Sequence, residues 1–284
     1  MFELAGIAVR AVSTGGVETC IELPGLGVCF DMGSCPPTAV RLPLVLFTHA
    51  HVDHMAGVVA HCATRELQGM KPPTYVMPER NVEAFHELLA VWRRLDGSPL
   101  PCRVVGLPPG QPFPVRESLV ARAFATPHRV VSQGYVLTEH RKRLRAELQG
   151  QPSDEIRRRR ALGESVTEAV EVPLVAFTGD SRAEILDREP ALYQARLLIM
   201  EVTFLDDRVS VEKTREKGHI HLDEVLERAD LFENQAILFT HLSARYSARQ
   251  AQEILDRRLP AGLRERVTLL ATVNARPGRL PPTA

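Results

Sequence analysis

The segment that most constrains this chain is residues 44–57, which read L-V-L-F-T-H-A-H-V-D-H-M-A-G. The apolar run Leu44–Phe47 predicts a buried strand, and a polar cluster follows it: His49, His51, Asp53 and His54. Because alternate residues of a strand point to the same side, His49 and His51 should face one spot, while the following turn aims Asp53 and His54 at a second spot nearby. Imidazole nitrogens and carboxylate oxygens are suitable ligands for zinc and similar divalent ions. The alternative, a histidine-rich surface turn, does not explain the apolar strand directly before it.

Composition limits the class of protein. The chain has 284 residues, 44% hydrophobic content and a formal net charge of zero, so a large core is available and any nucleic-acid binding must come from local charge clusters. Five cysteines without a CxxC pair argue against a disulfide framework and favour a reducing, cytoplasmic location. No apolar run of about 18 residues is present, so no membrane span is predicted. A nucleotide cofactor is not predicted either.

Four later strands are also predicted to end in a ligand-type residue. His128 follows the strand 119–125, Asp180 follows 172–177, Glu201 follows 196–200, and His241 follows 236–240. Strands of one sheet bring their ends to one edge, so these residues should converge on the first cluster. The predicted arrangement places His49, His51 and His128 on one ion and Asp53, His54 and His241 on another, with Asp180 bridging them. Two such ions support hydrolysis, and phosphodiester cleavage in particular.

Asp31 closes the strand that precedes the metal segment, and its role is left open by the sequence. The carboxylate could orient a ligand histidine, or it could cap the turn. Cys29 and Cys35 flank it, and we interpret them as small core or turn residues rather than as ligands.

A basic segment at residues 139–160 has eight basic and four acidic side chains. A solvated helical pair is one interpretation; the one we favour is a basic hairpin that contacts a phosphate backbone. The candidate substrate-binding residues in it are Arg141, Lys142, Arg143, Arg157 and Arg158.

The motif T-H-A-H-V-D-H resembles the signature of the metallo-β-lactamase superfamily. The later motifs H-R-V-V-S-Q-G-Y, T-G-D, E-V-T-F-L-D-D, G-H-I-H and T-H-L-S-A-R-Y are together similar to those of ribonuclease Z, the tRNA 3′-processing endonuclease. The likeness is to its short, plant-type form. It runs from about Cys29 to about Tyr246.

The resemblance implies a role for each matching residue. The family's metal ligands fall on the seven residues already assigned to the two ions, and Asp53 is also expected to help activate the water. Glu201 and His219 correspond to the pair that protonates the leaving oxygen. Because this chain reads M-E-V-T and H-I-H at those motifs, His221 is the alternative acid. The last motif adds Ser243 and Arg245 as expected substrate contacts.

The resemblance also implies an α/β fold, the αββα sandwich of two mixed sheets, in a single domain over residues 1–284 with a projecting helical arm. Residues 139–163 occupy the position of the family's tRNA-binding arm, and a homodimer is expected. The expected function is a zinc-dependent endoribonuclease with two Zn²⁺ per subunit, or Mn²⁺ or Fe²⁺ in their place, that removes the 3′ trailer of precursor tRNA and leaves a 3′-hydroxyl. The alternative is a superfamily hydrolase of a small phosphodiester or ester. The Pro-rich tail from Arg276 should be frayed.

Overall fold

A computed structural model describes residues 1–271 of the chain, and the tail from Arg276 lies outside the described residues. The strands form two seven-stranded sheets, with the orders β1-β2-β3-β4-β5-β6-β7 and β14-β13-β12-β11-β10-β9-β8. The strands of the first sheet are β1 (Phe2–Leu4), β2 (Ile7–Thr14), β3 (Glu18–Leu23), β4 (Val28–Phe30), β5 (Leu44–Leu46), β6 (Thr74–Met77) and β7 (Arg103–Gly106). Those of the second are β8 (Pro112–Arg116), β9 (Leu119–Ala125), β10 (Gln133–Leu144), β11 (Thr167–Phe177), β12 (Leu197–Glu201), β13 (Ala236–Thr240) and β14 (Val267–Leu269).

Both sheets are mixed, because each changes from antiparallel to parallel pairing partway across. The strands from β4 to β7 pair in parallel, as do those from β11 to β14, whereas the remaining neighbours are antiparallel. The helices are α1 (Val52–Met55), α2 (Val58–Leu67), α3 (Val82–Asp96), α4 (Ser153–Ala161), α5 (Glu184–Arg188), α6 (Ala191–Gln194), α7 (Val211–Lys217), α8 (Leu222–Leu226), α9 (Ala248–Arg258) and α10 (Ala261–Arg264).

The two sheets pack face to face over an apolar core. Phe30 of the first sheet contacts Phe177 of the second, with ring centroids 4.9 Å apart, and also Tyr135 at 6.1 Å. One apolar cluster joins α2 and α3 to the outer face of the first sheet, and another joins α5, α6, α8, α9 and α10 to the outer face of the second. The predicted αββα sandwich is therefore confirmed.

Strand β8 was not predicted. Its sequence, P-F-P-V-R, has two prolines, which cannot donate ladder hydrogen bonds, so it carries no clear strand pattern. Pro is tolerated here because β8 is the edge strand of its sheet and needs fewer ladder hydrogen bonds.

The arm is only partly helical, which corrects the prediction of a helical arm. Residues 140–144 of β10 pair with 167–171 of β11 as a two-stranded ribbon, and only α4 at its far end is a regular α-helix. The reason is cross-strand pairing, which a single sequence does not reveal; for example, Arg143 forms an ion pair with Glu168 at 2.9 Å. The returning strand also brings acidic residues, so residues 139–172 carry eight basic and seven acidic side chains.

Within residues 1–271, no helix is both long enough and apolar enough to cross a bilayer.

Candidate metal centre

The ligand-type residues predicted from strand ends lie together at one edge of the sandwich. Each follows the carboxyl end of its strand. In the second sheet β9, β11, β12 and β13 run in the same direction, so their carboxyl ends lie at one edge. They form two main groups in which all candidate ligand atoms lie within 4.8 Å of one another. The groups are His49, His51, His128 and Asp180, and Asp53, His54 and His241.

The first group is compact around Nδ1 of His51. This atom lies 3.0 Å from Nε2 of His49 and 3.4 Å from Nε2 of His128. Oδ2 of Asp180 is 3.8 Å from Nε2 of His49. Ligands about 2.0–2.1 Å from a tetrahedral ion are about 3.3 Å apart, so these separations suit one divalent cation.

The second group surrounds two buried ring nitrogens. Nε2 of His54 lies 3.6 Å from Asp53 Oδ2 and 3.4 Å from Asp180 Oδ1. Nε2 of His241 lies 3.5 Å from Asp53 Oδ2 and 3.3 Å from Asp180 Oδ2. Asp180 therefore faces both groups, as the sequence predicted for a bridging residue.

The outward-facing nitrogens of four histidines are all hydrogen-bonded, which determines the atoms offered to a cation. Nδ1 of His49 contacts Thr48 Oγ1 at 2.9 Å, and Nδ1 of His54 contacts Asp31 Oδ2 at 2.8 Å. The remaining two Nδ1 atoms, of His128 and His241, contact Gly218 O at 2.8 Å and Thr203 Oγ1 at 3.0 Å. A proton held at Nδ1 leaves the lone pair at Nε2, so these hydrogen bonds orient the four rings for binding.

Two buried threonines link these histidines to carboxylates. Thr48 donates its hydroxyl proton to Asp31 Oδ2 at 2.8 Å, and Thr203 donates its own to Glu201 Oε2. A hydroxyl has one proton, so each threonine must accept the Nδ1–H of its histidine. Asp31 thus orients candidate ligand histidines, and its Oδ1 also accepts the backbone N–H of Thr48 at 2.7 Å, so its contacts fit both roles that the sequence left open.

Glu201 is the centre of a second network beside the metal groups. Its Oε1 accepts from the backbone N–H of Ser181 at 2.7 Å and lies 3.0 Å from Nδ1 of His219, and its Oε2 accepts from the backbone N–H of Ile220 at 3.3 Å. The His219 ring lies at the cleft, 5.0 Å between centroids from the ring of His241. His221 instead caps α8, where its Nδ1 accepts from the backbone N–H of Asp223. The geometry therefore favours His219 over His221 as the proton donor.

The charges of the site shift several pKa values. Burial lowers the pKa of His49, His51 and His128, which keeps their rings neutral. Burial would lower the pKa of His54 too, but the carboxylates of Asp180 and Asp31 raise it well above the usual range.

For the two central carboxylates, burial raises the pKa, but His241 and His54 outweigh it, so the pKa of Asp53 and of Asp180 falls below the usual range. Burial opposes protonation of His219, yet Glu201 raises its pKa to about 9. A proton at His219 is therefore retained at neutral pH.

The backbone is strained where the site is assembled. His241 and Asp31 have φ angles of 56° and 54°, a left-handed region that non-glycine residues rarely adopt. Gly179 also has a positive φ, and a Cβ there would lie 2.6 Å from Thr48 Cγ2. The absence of a side chain lets the T-G-D loop approach Thr48, which brings Asp180 to the metal groups.

The structure places the other predicted residues elsewhere. Ser243 lies at the rim of the cleft and Arg245 is exposed just beyond it. The five arm residues Arg141, Lys142, Arg143, Arg157 and Arg158 belong to the ribbon and α4, and all but Lys142 form ion pairs with neighbouring acids. Neither Cys29 nor Cys35 belongs to the metal-type groups of the described residues.

Sequence reasoning missed several contributors. Thr48 and Thr203 lie next to predicted site residues, in T-H-A-H and E-V-T, and that adjacency is the only signal they give. The backbone N–H of Gly16, which donates to Asp53 Oδ2 at 3.0 Å, comes from a distant hairpin turn and has no local signal.

These residues fit a divalent metal site. Nε2 of His54 and Nε2 of His241 are buried and have no hydrogen-bond partner among the described atoms, although both face carboxylate oxygens. An unpartnered buried nitrogen is costly, and a cation held between the imidazoles and carboxylates satisfies it.

Comparison with known proteins agrees with this architecture. Residues 32–242 match the family model described as the β-lactamase superfamily domain. A tRNase Z of Arabidopsis thaliana is 40% identical over 270 residues, which cover 94% of this chain and 96% of that protein. A chloroplastic tRNase Z of the same plant is 34% identical over 253 residues, covering 88% of this chain and 72% of that protein. The crystal structure of the short form of human tRNase Z shares the fold, with a TM-score of 0.59, 20% identity, and coverage of 84% of this chain and 93% of that one. The chain therefore belongs to the tRNase Z (ribonuclease Z) family of the β-lactamase superfamily.

Proposed function

We propose that this protein is an endoribonuclease that cleaves the 3′ trailer from precursor tRNA and leaves a 3′-hydroxyl. The observation that carries the proposal is the His219–Glu201 pair beside two groups of candidate metal ligands. The membership of the tRNase Z family supports the choice of substrate. The pair would supply a proton to a leaving group that is a poor one as an alkoxide. The ribose 3′ oxygen is such a leaving group, whereas the leaving group of an activated small ester departs without a proton.

Two Zn²⁺ ions are the proposed cofactor, with Mn²⁺ or Fe²⁺ as alternatives that accept the same ligands. His49, His51 and His128 would hold one ion, Asp53, His54 and His241 the other, and Asp180 both. The ions would supply charge stabilisation at the phosphate oxygens and an acidified water.

The chain's own residues divide the remaining work. A water attacks phosphorus, and Asp53, ionised and held by the N–H of Gly16, accepts its proton. As the bond from phosphorus to the 3′ oxygen breaks, Nε2–H of His219 donates a proton to that oxygen. Glu201 holds the opposite nitrogen of the ring and stabilises the protonated form.

The proposed tRNA contacts outside the site are the arm and the rim residues Ser243 and Arg245. The arm's support is its projection as a two-stranded ribbon carrying exposed arginines. Its ion pairs are solvent-exposed, so the arginines can exchange an acidic neighbour for a phosphate at small cost. Within residues 139–163, Lys142 and Arg160 have no ion-pair partner among the described residues, so they can contact a phosphate without giving up an acidic neighbour.

A homodimer is proposed as the working assembly. Its support is an apolar stripe on α3, where Leu88, Val91, Trp92 and Leu95 are 41–73% exposed at helical spacing. Trp92→Glu is expected to convert a dimer to a monomer in multi-angle light scattering. A cytoplasmic location is also proposed, supported by the five free cysteines, and fluorescence microscopy of a tagged protein checks it.

The decisive experiment compares an RNA substrate with one that needs no acid. Wild type and His219→Ala are assayed on precursor tRNA with a 3′ trailer and on bis(p-nitrophenyl) phosphate, whose p-nitrophenolate leaves without a proton. We expect His219→Ala to lose about a hundredfold or more on the RNA and far less on the small diester. A wild-type protein that cuts the diester but not the RNA would replace the proposal with a small-molecule hydrolase.

An arm deletion of residues 146–163 separates chemistry from recognition. It should lose precursor tRNA cleavage and keep diester hydrolysis, because the metal groups lie on the sandwich and not on the arm. Equal loss on both substrates would contradict the proposed role of the arm.

A further inference from the structure

Two cationic side chains with no assigned role lie on the side of the cleft that carries His219. Arg129 and Lys217 line a cavity of about 230 Å³ together with His219, His241 and Thr203. No carboxylate side chain is among the residues that line this cavity. Both cations are exposed, and within residues 1–271 neither of them forms an ion pair. Two free positive charges beside a proton donor are a feature that the metal groups do not explain.

The two cations are held side by side by hydrogen bonds between their segments. Nδ1 of His128 contacts the carbonyl of Gly218, so the residue before Arg129 is tied to the residue after Lys217. Arg182 adds a second tie, because its backbone N–H donates to Pro127 O and its Nε–H to Arg215 O, both at 2.8 Å. The loop carrying Arg129 and the end of α7 therefore form one unit.

The contact is close because Gly218 has no side chain. Its φ is +86°, and a Cβ at this position would lie 2.7 Å from His128 Nδ1 and 3.2 Å from Arg129 Cγ. The stem of Arg129 thus packs against the backbone that joins Lys217 to His219.

The direction of cleavage identifies what these cations face. His219 gives its proton to the 3′ oxygen that leaves, so the nucleotide bearing that oxygen lies against His219. This nucleotide has a second phosphate, on its 5′ side, which must lie farther from the metals on the same side of the cleft. This step rests on the proposed function.

We propose that Arg129 and Lys217 bind the phosphate on the 5′ side of the nucleotide whose 3′ oxygen leaves. Each cation offers donors to phosphate oxygens: Arg129 a planar fork, and Lys217 a point charge on a flexible stem. The subsite holds the last nucleotide of the product in place, so that its 3′ oxygen meets Nε2 of His219. Because the contact is to the backbone, it acts on any base.

The test removes the charge from each partner in turn. A synthetic acceptor-stem minihelix with a 3′ trailer is made with a phosphate, or with a neutral methylphosphonate, at the 5′-side position. Wild type should cleave the methylphosphonate RNA with about tenfold lower kcat/KM. The double variant Arg129→Gln, Lys217→Gln should cleave both RNAs at the same, reduced rate. Because the readout is a ratio measured on one protein, a general loss of activity in the variant cancels.

Two controls define specificity. Lys213→Gln removes a charge from the same helix outside the cavity, and it should keep the wild-type ratio. A methylphosphonate two positions into the trailer should not change the ratio between wild type and the double variant.

The subsite fails if wild type cleaves both RNAs equally, or if the double variant keeps the tenfold preference. If wild type hydrolyses bis(p-nitrophenyl) phosphate but cuts neither minihelix nor a full precursor tRNA, the proposed function fails and the subsite with it.

Discussion

The two sheets of the sandwich build the same side-chain arrangement, and then use it differently. In the first sheet a buried carboxylate, Asp31, accepts from Thr48, which accepts from His49. In the second, Glu201 accepts from Thr203, which accepts from His241. We name these the first relay and the second relay.

The difference lies in the second contact of each carboxylate. Asp31 also holds His54, a candidate ligand whose side chain is 1% exposed, whereas Glu201 holds His219, whose side chain is 16% exposed at the cleft. The first relay therefore orients only metal-facing rings. The second relay orients one metal-facing ring and one ring that can reach substrate. On the proposed function, the same buried geometry would serve metal binding in one half, and metal binding together with proton transfer in the other.

Removal of Asp180, the residue that faces both groups of candidate metal ligands, should have the largest effect. Asp180→Asn takes a carboxylate from both groups, so we expect a loss of about three orders of magnitude or more on RNA and on bis(p-nitrophenyl) phosphate alike. Bound metal, measured by mass spectrometry of the dialysed protein, should fall in parallel. Asp207→Asn, an exposed neighbour of the second relay, is the matched control and should retain both.

The carboxylates of the two relays should separate proton transfer from metal binding. Glu201→Gln removes the charge that holds the proton on His219, so RNA cleavage should fall about a hundredfold while hydrolysis of bis(p-nitrophenyl) phosphate falls much less. Asp31→Asn should lower both activities by the same factor, because its partners face only the metal groups. A substrate-selective loss in Asp31→Asn would contradict the distinction between the relays.

Substitution of the two threonines should have a smaller effect than substitution of the carboxylates. Thr48→Val and Thr203→Val keep the side-chain volume but remove the hydroxyl that accepts each Nδ1–H, so metal affinity should fall about 10- to 100-fold. Chelator competition measures this without reference to activity. Thr48→Ser and Thr203→Ser keep the hydroxyl and should restore most of the affinity; if the serine variants are as weak as the valine variants, packing and not the hydrogen bond is responsible.

An exposed ion pair far from both relays gives the smallest expected effect. Glu168→Gln removes the partner of Arg143 on the arm, where both side chains are solvated. The free energy of unfolding should change by less than about 0.5 kcal/mol, measured by urea denaturation. A larger change would mean that the ribbon contributes to the stability of the sandwich.

Several features of the site could be predicted because they have a local cause. The apolar strands that lead into His49, His128, Asp180 and His241 have a short-range pattern, and strands that run in the same direction bring such ends to one edge of a sheet. The two mixed sheets were expected from the motif resemblance. Strand β8 escaped prediction because its prolines look like loop residues, and an edge position becomes visible only once the sheet is assembled.

Other features depend on residues that are distant in sequence. The prediction of a helical arm over residues 139–163 was wrong for the part that lies in β10, because the partner strand, β11, begins more than twenty residues later and supplies the acids that the local count left out. The choice between His219 and His221 was open for a similar reason: one ring meets Glu201, and the other caps α8 and contacts the carbonyl of Asp206.

By itself, the sequence determined which side chains can bind metal and on which strand ends they lie, since strand periodicity and ligand chemistry are local properties. Only the tertiary structure decided which nitrogen of each ring faces inward, which carboxylate holds His219, and that Arg129 and Lys217 share a cavity. The physical reason is that a hydrogen bond requires two groups within about 3 Å of each other. Chain folding brings residues such as Glu201 and His219 to that distance, and their spacing along the chain does not encode it.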